Sequence, residues 1–152
     1  MATSIVTRVV QVATEQVRIP VACERVGRIV TSVLRAERVR DAQVSVTFVT
    51  NRRMAALNRR HLHHAGATDV ISFGFAPVAV GAPVAGDIYI APAVARRNAL
   101  AHGAGIREEL LRLVVHGTLH VLGHDHPTDE ARTTSPMWRR QEVLLRRMLR
   151  SA

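Results

Sequence analysis

Residues 106–126 read IREELLRLVVHGTLHVLGHDH, and the rest of the chain can be placed around them. Ile106, Leu110, Leu113, Val114, Gly117 and Val121 fall near one stripe at helical spacing, which predicts an amphipathic helix from Ile106 to Leu122. Glu108 and Glu109 sit in its first turn, where the positive end of the helix dipole favours carboxylates. Gly123 supplies the stop, because glycine tolerates the positive φ of a helix C-terminus.

Working outward, the other segments change period. Ser4 to Val12, Gln43 to Thr50, Asp69 to Phe75 and Asp87 to Ala91 carry β-branched or alternating patterns and predict strands. Val26, Ile29, Val30, Val33 and Leu34 repeat at helical spacing after Pro20, so a first helix is expected there. Asn51 can cap a helix with Met54, Leu57 and Leu62 on one side. Pro92 opens another, running to about His102. Ser135 as cap and Pro136 at the first position predict a last helix to Leu149, with Met137, Val143, Leu144, Leu145 and Met148 inward. Ala76 to Gly86, with Pro77, Gly81, Pro83 and Gly86, reads as a loop within one domain. Strands and helices mix without strict alternation, which suggests a small α/β or α+β layer fold.

The bulk composition agrees with one globular domain over residues 1–152: 47% of residues are apolar and 22% charged, and neither a repeat nor a low-complexity linker is present. A single cysteine, Cys23, allows no intrachain disulfide and fits a reducing compartment, with Cys23 a small buried residue of the first helix. No apolar run approaches the ~20 residues of a membrane span, and the first residues lack a signal-peptide layout, so a soluble cytoplasmic protein without membrane association is expected. The net charge is +9 and all 21 basic residues are arginine. Such a surface attracts polyanions, and guanidinium forks match phosphate oxygens.

The chemistry concentrates in HGTLHVLGHDH. His116 and His120 are four apart, so on a helix they stack one turn apart and can grip one ion. The turn at Gly123 can bring His126 back over the helix end as third ligand. His124 would be well placed if the helix continued; Gly123 argues that it stops, so His126 is preferred. Asp125 suits the turn's cap or the orientation of a ligand histidine. Three neutral imidazoles suit one zinc ion, with other divalent metals open. They leave a coordination position free, the layout of a catalytic rather than a structural site. Water there would be acidified toward a pKa of about 7.

The spacing also fits the metzincin protease pattern, HExxHxxGxxH. Those enzymes carry a glutamate base directly after the first histidine. Here that position is Gly117, so a metallopeptidase is the second reading.

The same segment resembles the signature of the YbeY family of bacterial metal-dependent endoribonucleases. VTFVTNRRMAALN, TDVISF and AGDIYIAP resemble the family's upstream blocks, in its order, and MWRRQEVLL its C-terminal helix. The resemblance covers about Val44 to Leu149. It implies an α+β fold, a small mixed four-stranded sheet with about five helices packed on it. It implies His116, His120 and His126 as zinc ligands. It also implies cleavage of single-stranded RNA, 16S rRNA 3′-end maturation and ribosome quality control, with 16S rRNA and the ribosome as partners. The sequence departs from the family at Leu62, where many members carry an arginine; Arg59 and Arg60 lie nearby, and no catalytic residue is carried over. That departure motivates a third reading, a non-catalytic, metal-stapled ribosome-binding factor. His61, His63 and His64 suggest a second metal less than they suggest a polar loop.

Overall fold

A computed structural model describes residues 5–62, 66, 68–75, 79–128 and 130–151. Four strands form one sheet in the order β1-β2-β4-β3. They are β1 (Thr7–Thr14), β2 (Asp41–Phe48), β3 (Val70–Phe75) and β4 (Val84–Ile90). β1, β2 and β4 run parallel, and β3 pairs antiparallel to β4, so the sheet is mixed. Among the described residues, five α-helices accompany it: α1 (Cys23–Ala36), α2 (Asn51–Leu57), α3 (Pro92–Ala101), α4 (Ile106–Val121) and α5 (Pro136–Arg150). The expected α+β architecture is thus the observed one.

Strand alternation decides the layers. On β2, Ala42, Val44, Val46 and Phe48 are buried while their neighbours are not. That face joins Ile88 and Ile90 of β4 to Val26, Ile29, Val30, Val33 and Leu34 of α1, to α4, and to Met137, Leu144 and Leu145 of α5. A smaller cluster of Val49, Met54, Leu57, Ile71, Ala91 and Val94 forms around α2, with Phe73 and Tyr89 against it. No helix among the described residues is long and apolar enough to cross a membrane.

α4 is more enclosed than its stripe predicts. Leu110, Leu111 and every residue from Leu113 to Leu119 are buried, because α1, α3, α5, β3 and β4 all pack on it. Small residues admit it. A Cβ on Gly117 would lie 2.7 Å from Ile88 Cγ2, and one on Gly74 would lie 3.1 Å from the Val121 carbonyl oxygen. Contacts this close would make α4 or the sheet residues beneath it shift.

Several boundaries differ from the sequence expectation. α1 begins at Cys23, three residues beyond Pro20, where the helix could have started, and Cys23 is half-buried rather than buried. Thr50, not Asn51, caps α2: its side chain accepts from the Arg53 N–H at 3.1 Å. β2 ends before it, because a capping residue leaves the ladder. α2 stops at Leu57 and a π-turn, Asn58–Leu62, follows. The expected loop Ala76 to Gly86 is shorter, since Val84 already pairs with Ala42 of β2. Residues 76–78 of that loop lie outside the described residues, as do His63 and His64. On α5, Val143 is 42% exposed, off the row that links Met137, Gln141, Leu144, Leu145 and Met148.

Candidate metal centre

The three histidines meet at the C-terminal end of α4. One ring nitrogen each of His116, His120 and His126 can be chosen so that all lie within 4.8 Å of one another. The ring centroids are 4.6 to 5.1 Å apart. Three imidazoles this close can hold one ion. His116 and His120 come together through helical spacing alone. His126 arrives through a Schellman turn, in which the Gly123 N–H donates to the His120 carbonyl and the His124 N–H to the Leu119 carbonyl, both at 3.0 Å. Gly123 holds φ at +98°, the left-handed region where other residues are strained. Asp125 then fastens the loop by accepting from the His126 N–H at 2.8 Å. Its role is therefore the turn's cap.

His124 is not in the cluster. Its Nε2 lies 2.8 Å from Glu37 Oε1, just past α1, and Arg140 of α5 reaches Glu37 Oε2 at 3.3 Å. The turn directs His124 outward to α1 and α5, and His126 inward to the helix end.

The nitrogens that face the cluster are set by what the others bind. His116 Nδ1 lies 2.6 Å from Gln141 Oε1, an acceptor, so Nδ1 carries the proton and Nε2 keeps its lone pair. His126 Nδ1 faces the Pro127 carbonyl at 2.8 Å, with the same consequence. Gln141 is oriented in turn. Its amide donates to Glu142 Oε2 at 3.1 Å, which leaves its oxygen for His116. Glu142 accepts three hydrogen bonds from Arg112, and Arg112 also donates to Glu109 at 2.9 Å. Burial works against the Arg112 charge, but the bonds to Glu142 and Glu109 outweigh it and raise its pKa. Sequence reasoning missed this relay. Its one signal was a polar Gln141 inside an apolar helical row, where a buried amide needs partners.

Burial lowers the His116 pKa to about 4; the hydrogen bond to Gln141 works against this, and the neighbouring His120 and His126 add to the lowering. Burial lowers His120 as well, and the neighbouring His126 adds to it; a hydrogen bond to the His124 backbone partly offsets both. Neutral imidazoles with aligned lone pairs are the form a metal ion requires. The donor set therefore fits a borderline-soft divalent cation such as zinc.

A cleft of about 730 Å³ opens beside His116, lined by Asp69, Asn98, Arg112, Arg132, Trp138 and Gln141 among others. The Arg132 guanidinium lies over the Trp138 ring, 5.8 Å from its centre. By contrast, His61 packs edge-on against Phe73, with ring centres 5.1 Å apart, and belongs to no metal-binding group among the described residues. Arg59 and Arg60 are exposed on the π-turn.

A mixed four-stranded α+β layer with three histidines gathered at the end of its central helix defines a class: small proteins with a histidine cluster close enough to hold a metal ion. Comparison with known proteins narrows it. The family model described as endoribonuclease YbeY matches residues 10–149. A curated endoribonuclease YbeY of Geobacillus kaustophilus is 40% identical over 134 residues, spanning 82% of this chain and 85% of that one. Its counterpart in Thermobifida fusca is 38% identical over 116 residues, 71% of this chain and 75% of the relative. The solution structure of a Thermotoga maritima protein matches with a TM-score of 0.62 at 21% identity, over 93% of this chain and 90% of that one, a likeness of fold. The chain belongs to the endoribonuclease YbeY family, whose members are hydrolases of RNA phosphodiester bonds.

Proposed function

We propose that residues 1–152 form one zinc-dependent endoribonuclease domain that cuts single-stranded RNA, working in 16S rRNA 3′-end maturation and ribosome quality control in the cytoplasm. The observation that carries this reading is the convergence of His116, His120 and His126, with Gln141 and Pro127 fixing two of the tautomers, in a chain of this family. His116, His120 and His126 would be the ligands. Bound there, the ion would supply Lewis-acid polarisation of a phosphodiester.

The chain's own contribution is placement. Three protein donors leave room for a substrate oxygen at the mouth of the cleft. Arg132, exposed at the rim, supplies positive charge for phosphate, and Trp138 beneath it offers a face for a base. Peptidase chemistry is disfavoured by packing as well as by composition. Position 117 carries glycine, which has no base, and a side chain there would press on Ile88.

Zinc-loaded protein should cut a single-stranded RNA carrying the 16S 3′ end and leave the same sequence intact in a duplex. A His116→Ala/His120→Ala variant should be inactive. Equal cutting by that variant would refute the assigned site. Loss of cutting by the parent, with ribosome binding retained, would favour the non-catalytic reading suggested by Leu62.

A further inference from the structure

Away from the metal centre, α1 and α5 lie side by side and leave a groove of about 600 Å³ between them. Its floor is apolar, made by Ile29, Leu144 and Met148. Its walls carry Arg25, Arg28, Arg35 and Arg147. Among the described residues, no hydrogen bond or ion pair holds any of these four guanidinium groups. Arg112, Arg53 and Arg140, by contrast, all have carboxylate partners. The band continues at both sides: Arg25 also borders a hollow that contains Arg107, and Arg147 one that contains Arg146 and Arg150. Glu108, on that first hollow, already faces Arg112.

This arrangement is electrostatically unfinished. Several like charges along two helices repel one another, and no acidic residue of the groove wall offsets them. A ligand that completes it must be a polyanion with charges repeated along a line. The groove also leads to the catalytic end. Ala36 on its wall precedes Glu37, and Glu37 touches both His124 of the metal-site turn and Arg140 of α5. An RNA strand held in the groove would thus enter or leave the cleft past that turn.

We propose that the α1–α5 groove binds the phosphate backbone of single-stranded RNA outside the scissile position, with Arg25, Arg28, Arg35 and Arg147 as the phosphate contacts. This rests on the endoribonuclease reading and adds a second contact region to it. The groove sets affinity and salt dependence, not the chemistry, because phosphate contacts position a strand without reading its sequence.

The test measures binding of a labelled single-stranded 20-mer RNA by fluorescence anisotropy across a salt series, with the full-length protein and two variants. One variant is Arg25→Ala/Arg28→Ala/Arg35→Ala/Arg147→Ala. The other, Arg18→Ala/Arg52→Ala/Arg96→Ala/Arg97→Ala, removes equal charge elsewhere. Alanine is a good helix former, so both should keep their circular dichroism. The groove variant should lose about 10-fold or more in affinity, and its slope of log K against log salt should fall by about 0.7 per lost phosphate contact. The control should lose less than about 3-fold, as expected for diffuse charge. A trinucleotide too short to span both regions should bind both variants alike. Equal losses for the two variants on the 20-mer would overturn the groove assignment, as would displacement of the RNA by polyglutamate at equal charge. Cutting of RNA by the zinc-loaded parent is the separate readout. If the parent cuts RNA and the groove variant binds as the parent does, only this inference fails. If the parent neither cuts nor binds RNA, the functional reading fails with it.

Discussion

His116 combines near-complete burial with a side-chain partner at Nδ1. The partner is the amide oxygen of Gln141, and such hydrogen bonds orient a ligand ring and raise its basicity. Gln141→Leu should therefore weaken zinc binding by about 10- to 100-fold while the fold survives, read by competition with a chromogenic chelator. Unchanged affinity would remove Gln141 from the site. Burial also predicts a pH dependence for the metal-free protein. The folded state holds His116 at about 4, against 6.5 for the free side chain. Below 6.5 the unfolded chain binds a proton that the folded chain refuses, so stability falls with pH and levels off below about 4. Above 6.5 both states are neutral and the effect vanishes. The loss should be of the order of 3 kcal/mol, with His120 acting in the same direction. Urea unfolding of chelator-treated protein between pH 7 and pH 4.5 checks it, and a flat profile would contradict it.

At the level of elements, the end of α4 is where fold and site coincide. The same Schellman turn satisfies the last carbonyls of the helix and swings the chain so that His126 returns to it. Space around Gly123 is free; its φ of +98° is what selects glycine. Gly123→Ala should cost about 1–2 kcal/mol in unfolding free energy. It should also lower zinc affinity, since relief of the strain moves His126 away from His116 and His120. Thermal melts with and without zinc separate the two effects: the zinc-dependent gain in Tm should shrink in the variant. A gain equal to the parent's would show that the turn does not set the third ligand.

For the molecule as a whole, the core and the histidine cluster are separable. The main cluster joins the sheet, α1, α4 and α5 through apolar contacts, and the histidines lie at its edge. Chelation should then abolish RNA cutting while leaving far-UV circular dichroism and cooperative unfolding in place. The unfolding free energy should drop only by the binding contribution, about 2.7 kcal/mol when zinc stands at 100 times its Kd. Complete unfolding on chelation would mean that the ion holds the fold together, as in domains without a core of their own.

Local chemistry determined a good deal here. Periodicity placed the strands and five helices, because side chains alternate on strands and recur every three or four residues on helices. The spacing of His116 and His120 and the stop at Gly123 made the three-histidine site legible, since each depends on neighbours only a few residues away. Boundaries were less legible: Thr50 rather than Asn51 caps α2, and Val84–Gly86 joins the sheet because β2 is there to pair with it. The tertiary structure alone decided the rest. Gln141 lies 25 residues from the histidine it holds, and Glu37 lies 103 residues from Arg140. Nor could the sequence show that Gly117 lies tight against Ile88, or that four arginines from α1 and α5 line one groove. Those partners are set by how helices dock on the sheet, and docking is a sum over many apolar contacts that no short pattern encodes.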